Sequence, residues 1–222
     1  TQESQVSSMA IHPGNKKIAL TFTIWTDDFY VMMLNENGTY DTTFSGDGIV
    51  QTDINGGHDA SSTLAFQRFF INVGGYPAIS YKLVVGGIAW GSSSTGFDTA
   101  LVRYNLNGAL DTTFGTNGKV RRALSYQRDA IEALKIDSQG RIVAAGTREW
   151  NYEESFAVQR FLSDGSIDNS FGTQGRVYTK IFISGVQVDA EPTGLALGPD
   201  GKIVVVSGSY SGEPRMLLRY QP

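Results

Sequence analysis

Three segments of this 222-residue chain spell nearly the same nine residues. Tyr40-Asp41-Thr42-Thr43-Phe44-Ser45-Gly46-Asp47-Gly48 is followed by Leu110-Asp111-Thr112-Thr113-Phe114-Gly115-Thr116-Asn117-Gly118 and by Ile167-Asp168-Asn169-Ser170-Phe171-Gly172-Thr173-Gln174-Gly175. The steps from Phe44 to Phe114 and from Phe114 to Phe171 are 70 and 57 residues. Self-similarity at intervals of this size marks stacked supersecondary units, and it constrains the fold more than any other feature of the chain.

Each unit carries a second recurring half. Ala130-Ile131-Glu132-Ala133-Leu134-Lys135-Ile136 alternates apolar and polar residues, Ser138-Gln139-Gly140 turns, and Arg141-Ile142-Val143-Ala144-Ala145-Gly146 returns. Period-two alternation around a Gly-bearing turn predicts a β-hairpin. The hairpin recurs at Met9-Ala10-Ile11 with Lys17-Ile18-Ala19-Leu20, and at Leu195-Ala196-Leu197 with Lys202-Ile203-Val204-Val205-Val206. It recurs once more at Thr63-Leu64-Ala65-Phe66 with Lys82-Leu83-Val84-Val85, where residues 68–80 replace the short turn. The other half is a hairpin too, built on Tyr30-Val31-Met32-Met33-Leu34, Ala100-Leu101-Val102-Arg103-Tyr104 and Ala157-Val158-Gln159-Arg160-Phe161. A lone copy, Arg215-Met216-Leu217-Leu218-Arg219-Tyr220, closes the series.

Four strands per unit, radially repeated, is the pattern of a β-propeller, which leaves only short protected edges. The prediction is an all-β domain over residues 1–222 with units at about 1–53, 54–122, 123–181 and 182–222. It comprises about four four-stranded blades. The last outer strand is either missing or supplied by residues 1–7. The alternative is a partial blade set, completed by another chain or by a longer propeller.

The pattern Arg-Tyr/Phe, Asn-Gly or Asp-Gly, Leu/Ile-Asp-x-Thr/Ser-Phe-Gly-x-x-Gly, then Asp-Gly-Lys-Ile-Val-Val resembles the delta-60 repeat. That resemblance covers nearly the whole chain. It implies a propeller-like array in a secreted or surface-associated bacterial protein, and it implies no particular reaction. The first unit departs from the pattern, with Met33 where Arg103, Arg160 and Arg219 recur and Ser45 in place of Gly.

Among the repeated residues, Phe44, Phe114 and Phe171 are expected between neighbouring blades, where burial of each contributes about 1.5–3 kcal/mol. Gly48, Gly118 and Gly175 are expected at positive φ. Asp41, Asp111 and Asp168 admit two readings. Asn35-x-Asn37-Gly38-x-x-Asp41 resembles an oxygen-rich loop that could hold Ca²⁺, although it lacks the carboxylates of an EF-hand. The scaffold reading is a turn or an Asp–Arg pair using Arg103, Arg160 and Arg219, which leaves Asp41 in need of another partner. No cofactor is otherwise implied.

The three tryptophans and one tyrosine recur near the ends of second strands: Trp25, Trp90, Trp150 and Tyr210, seven or eight residues beyond Ile18, Leu83, Ile142 and Ile203. Blades are related by rotation, so these side chains are expected to ring one face. Aromatics flanked by Asp27, Asp28, Asp98, Glu153, Glu154 and Glu213 suit the apolar faces and hydroxyls of a glycan, or a protein surface. The structural reading is that they cap blade ends.

Composition narrows the function classes. A net charge of −4 argues against nucleic acid, and no apolar run is long enough to span a membrane. The absence of cysteine removes disulfides and thiolate chemistry. A start at Thr1 without a charged and apolar leader suggests a processed N-terminus, with a secretory signal already removed. His12 and His58 lack metal-ligand spacing and read as turn and loop residues. The expectation is a non-enzymatic binding or scaffold module, secreted or at the cell surface. Two alternatives stand beside it: a surface assembly unit that self-associates through its terminal strand or through residues 68–80, and a glycoside-acting enzyme with two carboxylates about 5–9.5 Å apart.

Overall fold

Among the described residues the chain is all-β, and no helix interrupts it. The computed structural model describes residues 5–24, 28–92, 96–189, 191–208 and 215–222. Trp25, Asp27, Tyr210 and Glu213 therefore lie outside the described residues.

Blade one is β1 (Gln5–Ile11), β2 (Ile18–Thr23), β3 (Phe29–Leu34) and β4 (Ile49–Thr52). Blade two is β5 (Asp59–Val73), β6 (Tyr76–Ser92), β7 (Gly96–Tyr104) and β8 (Lys119–Arg122). Blade three is β9 (Ala133–Ile136), β10 (Ile142–Trp150), β11 (Glu153–Phe161) and β12 (Arg176–Thr179). After a two-stranded ribbon, β13 (Ile181–Ile183) and β14 (Val186–Val188), blade four is β15 (Pro192–Leu197), β16 (Ile203–Ser207) and β17 (Leu217–Tyr220). Every blade is an antiparallel meander in chain order. The four sheets form a ring, and the first strands of all four line a central cavity of about 470 Å³.

Of the two expectations for the outer strand of blade four, one is corrected. Residues 5–7 do not supply the outer strand of blade four, because Gln5 and Val6 pair with Thr23 and Phe22 in the innermost hairpin of blade one. Blade four consequently has three strands among the described residues, and β17 is its outer edge. The 68–80 segment lengthens a hairpin. β5 and β6 pair without a break from Thr63↔Gly86 to Val73↔Tyr76, and Gly74 and Gly75, both at positive φ, make the turn. The arm carries Phe70, Val73, Tyr76 and Ile79 into solvent.

The register makes the blades comparable position by position. Ile18, Leu83, Ile142 and Ile203 each face the residue at the end of the third strand, namely Leu34, Tyr104, Phe161 and Tyr220. Strand alternation then gives each sheet one apolar face toward the next blade and one toward the blade before. Met33, Val31 and Phe44 of blade one pack with Leu64, Leu83, Val85 and Tyr104 of blade two. Val84, Leu101 and Phe114 pack with Leu134, Ile142 and Phe161. Val143, Val158 and Phe171 pack with Leu195, Ile203 and Val205. The three repeat phenylalanines thus sit in the three packed junctions, as expected, and all are buried. Gly48, Gly118 and Gly175 have φ of 90°, 90° and 75°. At Gly118 any Cβ would also meet Leu110 Cβ at 3.0 Å, so Gly118→Ala is expected to combine backbone strain with a clash. A loss of at least ~1 kcal/mol in urea unfolding would register it.

Candidate functional site

The repeated aspartates are scaffold. Asp111 is 3% exposed, and its Oδ2 accepts from Arg103 Nε at 2.6 Å and lies 2.6 Å from Lys82 Nζ. Its Oδ1 accepts from the amide and hydroxyl of Thr113 at 3.3 and 2.8 Å. Asp168 repeats the arrangement with Arg160 Nε at 2.7 Å, Arg141 Nη1 at 3.5 Å, and Ser170. In blade one Met33 replaces the arginine, and Lys17 Nζ reaches Asp41 Oδ2 at 2.5 Å. The partner that Asp41 was expected to need is therefore the lysine just before Ile18, the position that Lys82 and Arg141 hold before Leu83 and Ile142 in the next two blades. A carboxylate already neutralised by one or two cations is a poor ligand for Ca²⁺, so the donor set does not fit that ion.

The guanidinium also joins blades. Arg103 lies over the Phe114 ring at 4.5 Å and donates Nη1 to Gln67 Oε1 at 2.9 Å and to Ser163 O in blade three. Gln67 Nε2 donates to Gly140 O at 2.7 Å. In blade one the position of Gln67 is His12, which is buried and caps its own turn: Nδ1 accepts from the amides of Gly14 and Asn15 at 3.0 and 3.1 Å. His12 is a turn residue, as expected, and burial lowers its pKa.

The Asp111 carboxyl is held down to about 2. Burial alone would raise it, but hydrogen bonds from Lys82 and Thr113 and the charge of Arg103 outweigh burial. Asp41 and Asp168 shift in the same direction. A depressed carboxyl pKa contributes stability above the unfolded value and loses it as pH falls through the folded one. Thermal stability should therefore fall steeply between about pH 4 and pH 2, and the fall should be shallower in Asp111→Asn.

The opposite end of the ring is formed by the second-to-third-strand hairpins and the blade connectors. Trp90 and Trp150 both lie here, but they are not equivalent. Trp90 is seven positions beyond Leu83 and pairs with Phe97, whereas Trp150 is eight beyond Ile142 and pairs with Glu153. An offset of one residue places them on opposite faces of their sheets. Trp90 packs edge-on to Phe97 at 5.1 Å and covers Gly57, whose missing side chain makes room for the indole. Trp90 is 37% exposed and takes the packed position of the two.

Trp150 belongs to a different environment. It is 38% exposed and stacks in a tilted pair with Tyr126, itself 70% exposed, at 5.3 Å between ring centroids. Arg148 lies over the indole at 4.7 Å. The Asn151–Tyr152 turn, with both residues at positive φ, ends the hairpin and leaves Tyr152 exposed. Gln127 ties the turn to the connector, accepting from the Tyr152 amide at 3.1 Å and donating to Glu149 Oε1 at 3.2 Å. Two partly exposed aromatic side chains, an amide, a carboxylate and a guanidinium thus converge on one rim. Tyr126 escaped the sequence reading because it lies in a connector that does not repeat.

The central cavity has one carboxylate, Glu132, in its described lining. Burial pushes the Glu132 carboxyl up to about 8 despite Arg128 Nη2 at 3.8 Å from Oε1. A raised carboxyl pKa means that the folded state loses stability as pH rises from the unfolded value toward the folded one. Glu132→Gln is expected to stabilise the fold by about 1–3 kcal/mol near pH 8 and by less near pH 5, which denaturant midpoints at the two values would read. A larger groove of about 730 Å³ on the rim between blades two and three is lined by Asn55, Lys119, Arg121 and Asp164 and carries no aromatic side chain.

Antiparallel meander sheets in a ring, three of four strands and one of three among the described residues, define a β-propeller. Residues 82–114 and 138–171 match the family model described as a domain of unknown function (DUF5122) beta-propeller. Each match runs from the second strand of its blade, or the turn before it, to the repeat phenylalanine, so these segments are similar to a β-propeller repeat. No curated protein matches the sequence. Among solved structures, a gluconolactonase from Xanthomonas campestris is similar, with 15% identity and a TM-score of 0.40 over 91% of this chain and 54% of that one. A glucose dehydrogenase is similar at 10% identity and a TM-score of 0.24, over 100% of this chain and 99% of that one. The chain spans about half the length of the gluconolactonase. At these scores neither likeness bears on activity.

Proposed function

We propose that the chain is a non-enzymatic binding module of a secreted or surface-exposed protein, and that it takes a glycan on the rim formed by Tyr126, Trp150 and Tyr152. The observation that carries this reading is the Tyr126–Trp150 pair. Its rings are open to solvent at 70% and 38%, where the repeat phenylalanines are fully enclosed. Stacking on the apolar face of a pyranose needs such a platform, and Gln127 and Glu149 beside it offer donors and acceptors for hydroxyls. Secretion is supported by the repeat resemblance.

A glycan array with the folded chain, followed by fluorescence titration of its tryptophans, tests the reading. Trp150→Ala is expected to weaken binding at least tenfold, about 1.4 kcal/mol, with the melting temperature little changed. Trp90→Phe, at the packed position, should leave affinity intact. Binding by neither wild type nor variant would reject the glycan. Capture of a protein ligand that survives Trp150→Ala would move the site elsewhere.

A further inference from the structure

Around the ring, three junctions between blades are packed among the described residues, and the fourth, between blades four and one, is not. The face each blade turns toward its predecessor is built from the same six positions. In blade two these are Leu64, Phe66, Leu83, Val85, Val102 and Tyr104, and in blade one Met9, Ile11, Ile18, Leu20, Met32 and Leu34. All six are apolar in blade one, yet none is fully buried. The contrast is sharpest in the first strand. Leu64, Leu134 and Leu195 are 5%, 2% and 7% exposed, while Met9 at the same position is 62% exposed and Ile11 is 60% exposed.

Blade four shows the complementary half. The face that blades one to three turn toward their successor uses Val31, Leu101 and Val158 on the third strand, all 0% exposed; their counterpart is Leu217, at 66%. Val204 and Val206 beside it are half-buried and exposed, and Arg219 takes the place of Arg103 and Arg160.

We propose that a second copy of this chain covers both faces, the successor face of blade four in each copy packing on the predecessor face of blade one in the other. The occupant is chosen by the chain's own interfaces. The strand faces that would meet are the counterparts of those that meet in its three internal junctions, although blade four brings no counterpart of Phe44, Phe114 and Phe171 or of the aspartates that pair with Arg103 and Arg160. A two-fold pair forms both seams at once and closes on itself, with neither of the two faces left over. Two seams together share the ~1,200–2,000 Å² that a stable interface buries, which halves what each must supply. This association is independent of the glycan rim, which lies on the hairpin tips of blade three.

The chain contains no cysteine, so an engineered pair reports without background. Sedimentation velocity of the wild type across the micromolar range is expected to give a dimer, and Met9→Glu a monomer with an unchanged circular dichroism spectrum. Equal parts of Met9→Cys and Leu217→Cys, mixed and oxidised, are expected to yield a disulfide heterodimer at twice the chain mass. The double variant Met9→Cys/Leu217→Cys separates the alternatives on a non-reducing gel. A cross-linked dimer supports the proposal, whereas a disulfide within one chain means that the ring closes on itself and overturns it. A wild type that stays monomeric throughout, with no heterodimer formed, overturns it as well.

Discussion

Asp111→Ala is expected to destabilise the chain by about 3–5 kcal/mol, the range for breaking a buried ion pair by removing one partner. Asp111 neutralises Arg103, whose side chain is 3% exposed, and removing the carboxylate leaves a guanidinium inside a packed junction. Lys82 can swing toward solvent because its side chain is 24% exposed, but Arg103 cannot. Asp41→Ala should cost less for the same reason, since its partner Lys17 is 27% exposed and Met33 stands in the arginine's place. Blade one suggests the rescue: Arg103→Met in the Asp111→Ala background should recover part of the loss. Urea unfolding of the four members of the cycle gives the coupling energy, and a coupling below about 0.5 kcal/mol would show that the pair does not act as a unit.

Phe114→Ala is the second large effect, at about 3–5 kcal/mol. The ring is fully buried among Val84, Leu101, Ile131, Leu134 and Phe161, so it bridges blades two and three. Its edge also occupies the space above Gly165, where a Cβ would lie 2.7 Å from the ring. That close approach leaves the cavity little room to collapse when the ring is removed. Truncation also deprives the Arg103 guanidinium of its aromatic face, so Phe114→Ala and Arg103→Met should be less than additive. A Phe114→Leu variant, which keeps most of the volume, is expected to lose no more than about half as much.

The repeat was legible because each of its residues answers a local demand that recurs in every unit. Phe44, Phe114 and Phe171 fill equivalent junctions, glycines at 48, 118 and 175 supply a left-handed turn, and the period-two strands name their own faces. The Asp–Arg pairing was legible as well, because both partners lie within one hairpin, eight residues apart in Arg103–Asp111 and Arg160–Asp168. Lys17, Lys82 and Arg141 were not recognised as further partners: they approach from the neighbouring hairpin, and strand-start lysines are common on surfaces.

The aromatic rim was only half legible. Trp90 and Trp150 differ by a single position in spacing, and a count along the sequence tolerates that difference, whereas a pleated sheet turns it into opposite faces. Tyr126 and Gln127 complete the rim from a connector with no repeat to point at them. The arm of β5 and β6 could be seen as an insertion, but its regular pairing out to Val73 and Tyr76 could not.

Taken alone, the sequence determined the class of fold and the places of the repeated phenylalanines and glycines, because these follow from short-range periodicity and turn stereochemistry. Only the tertiary structure decided which apolar faces meet. Met9 and Leu64 satisfy the same local pattern and differ in burial by more than half of their surface, since burial depends on whether another blade arrives, and that is not written in either residue's neighbours along the chain.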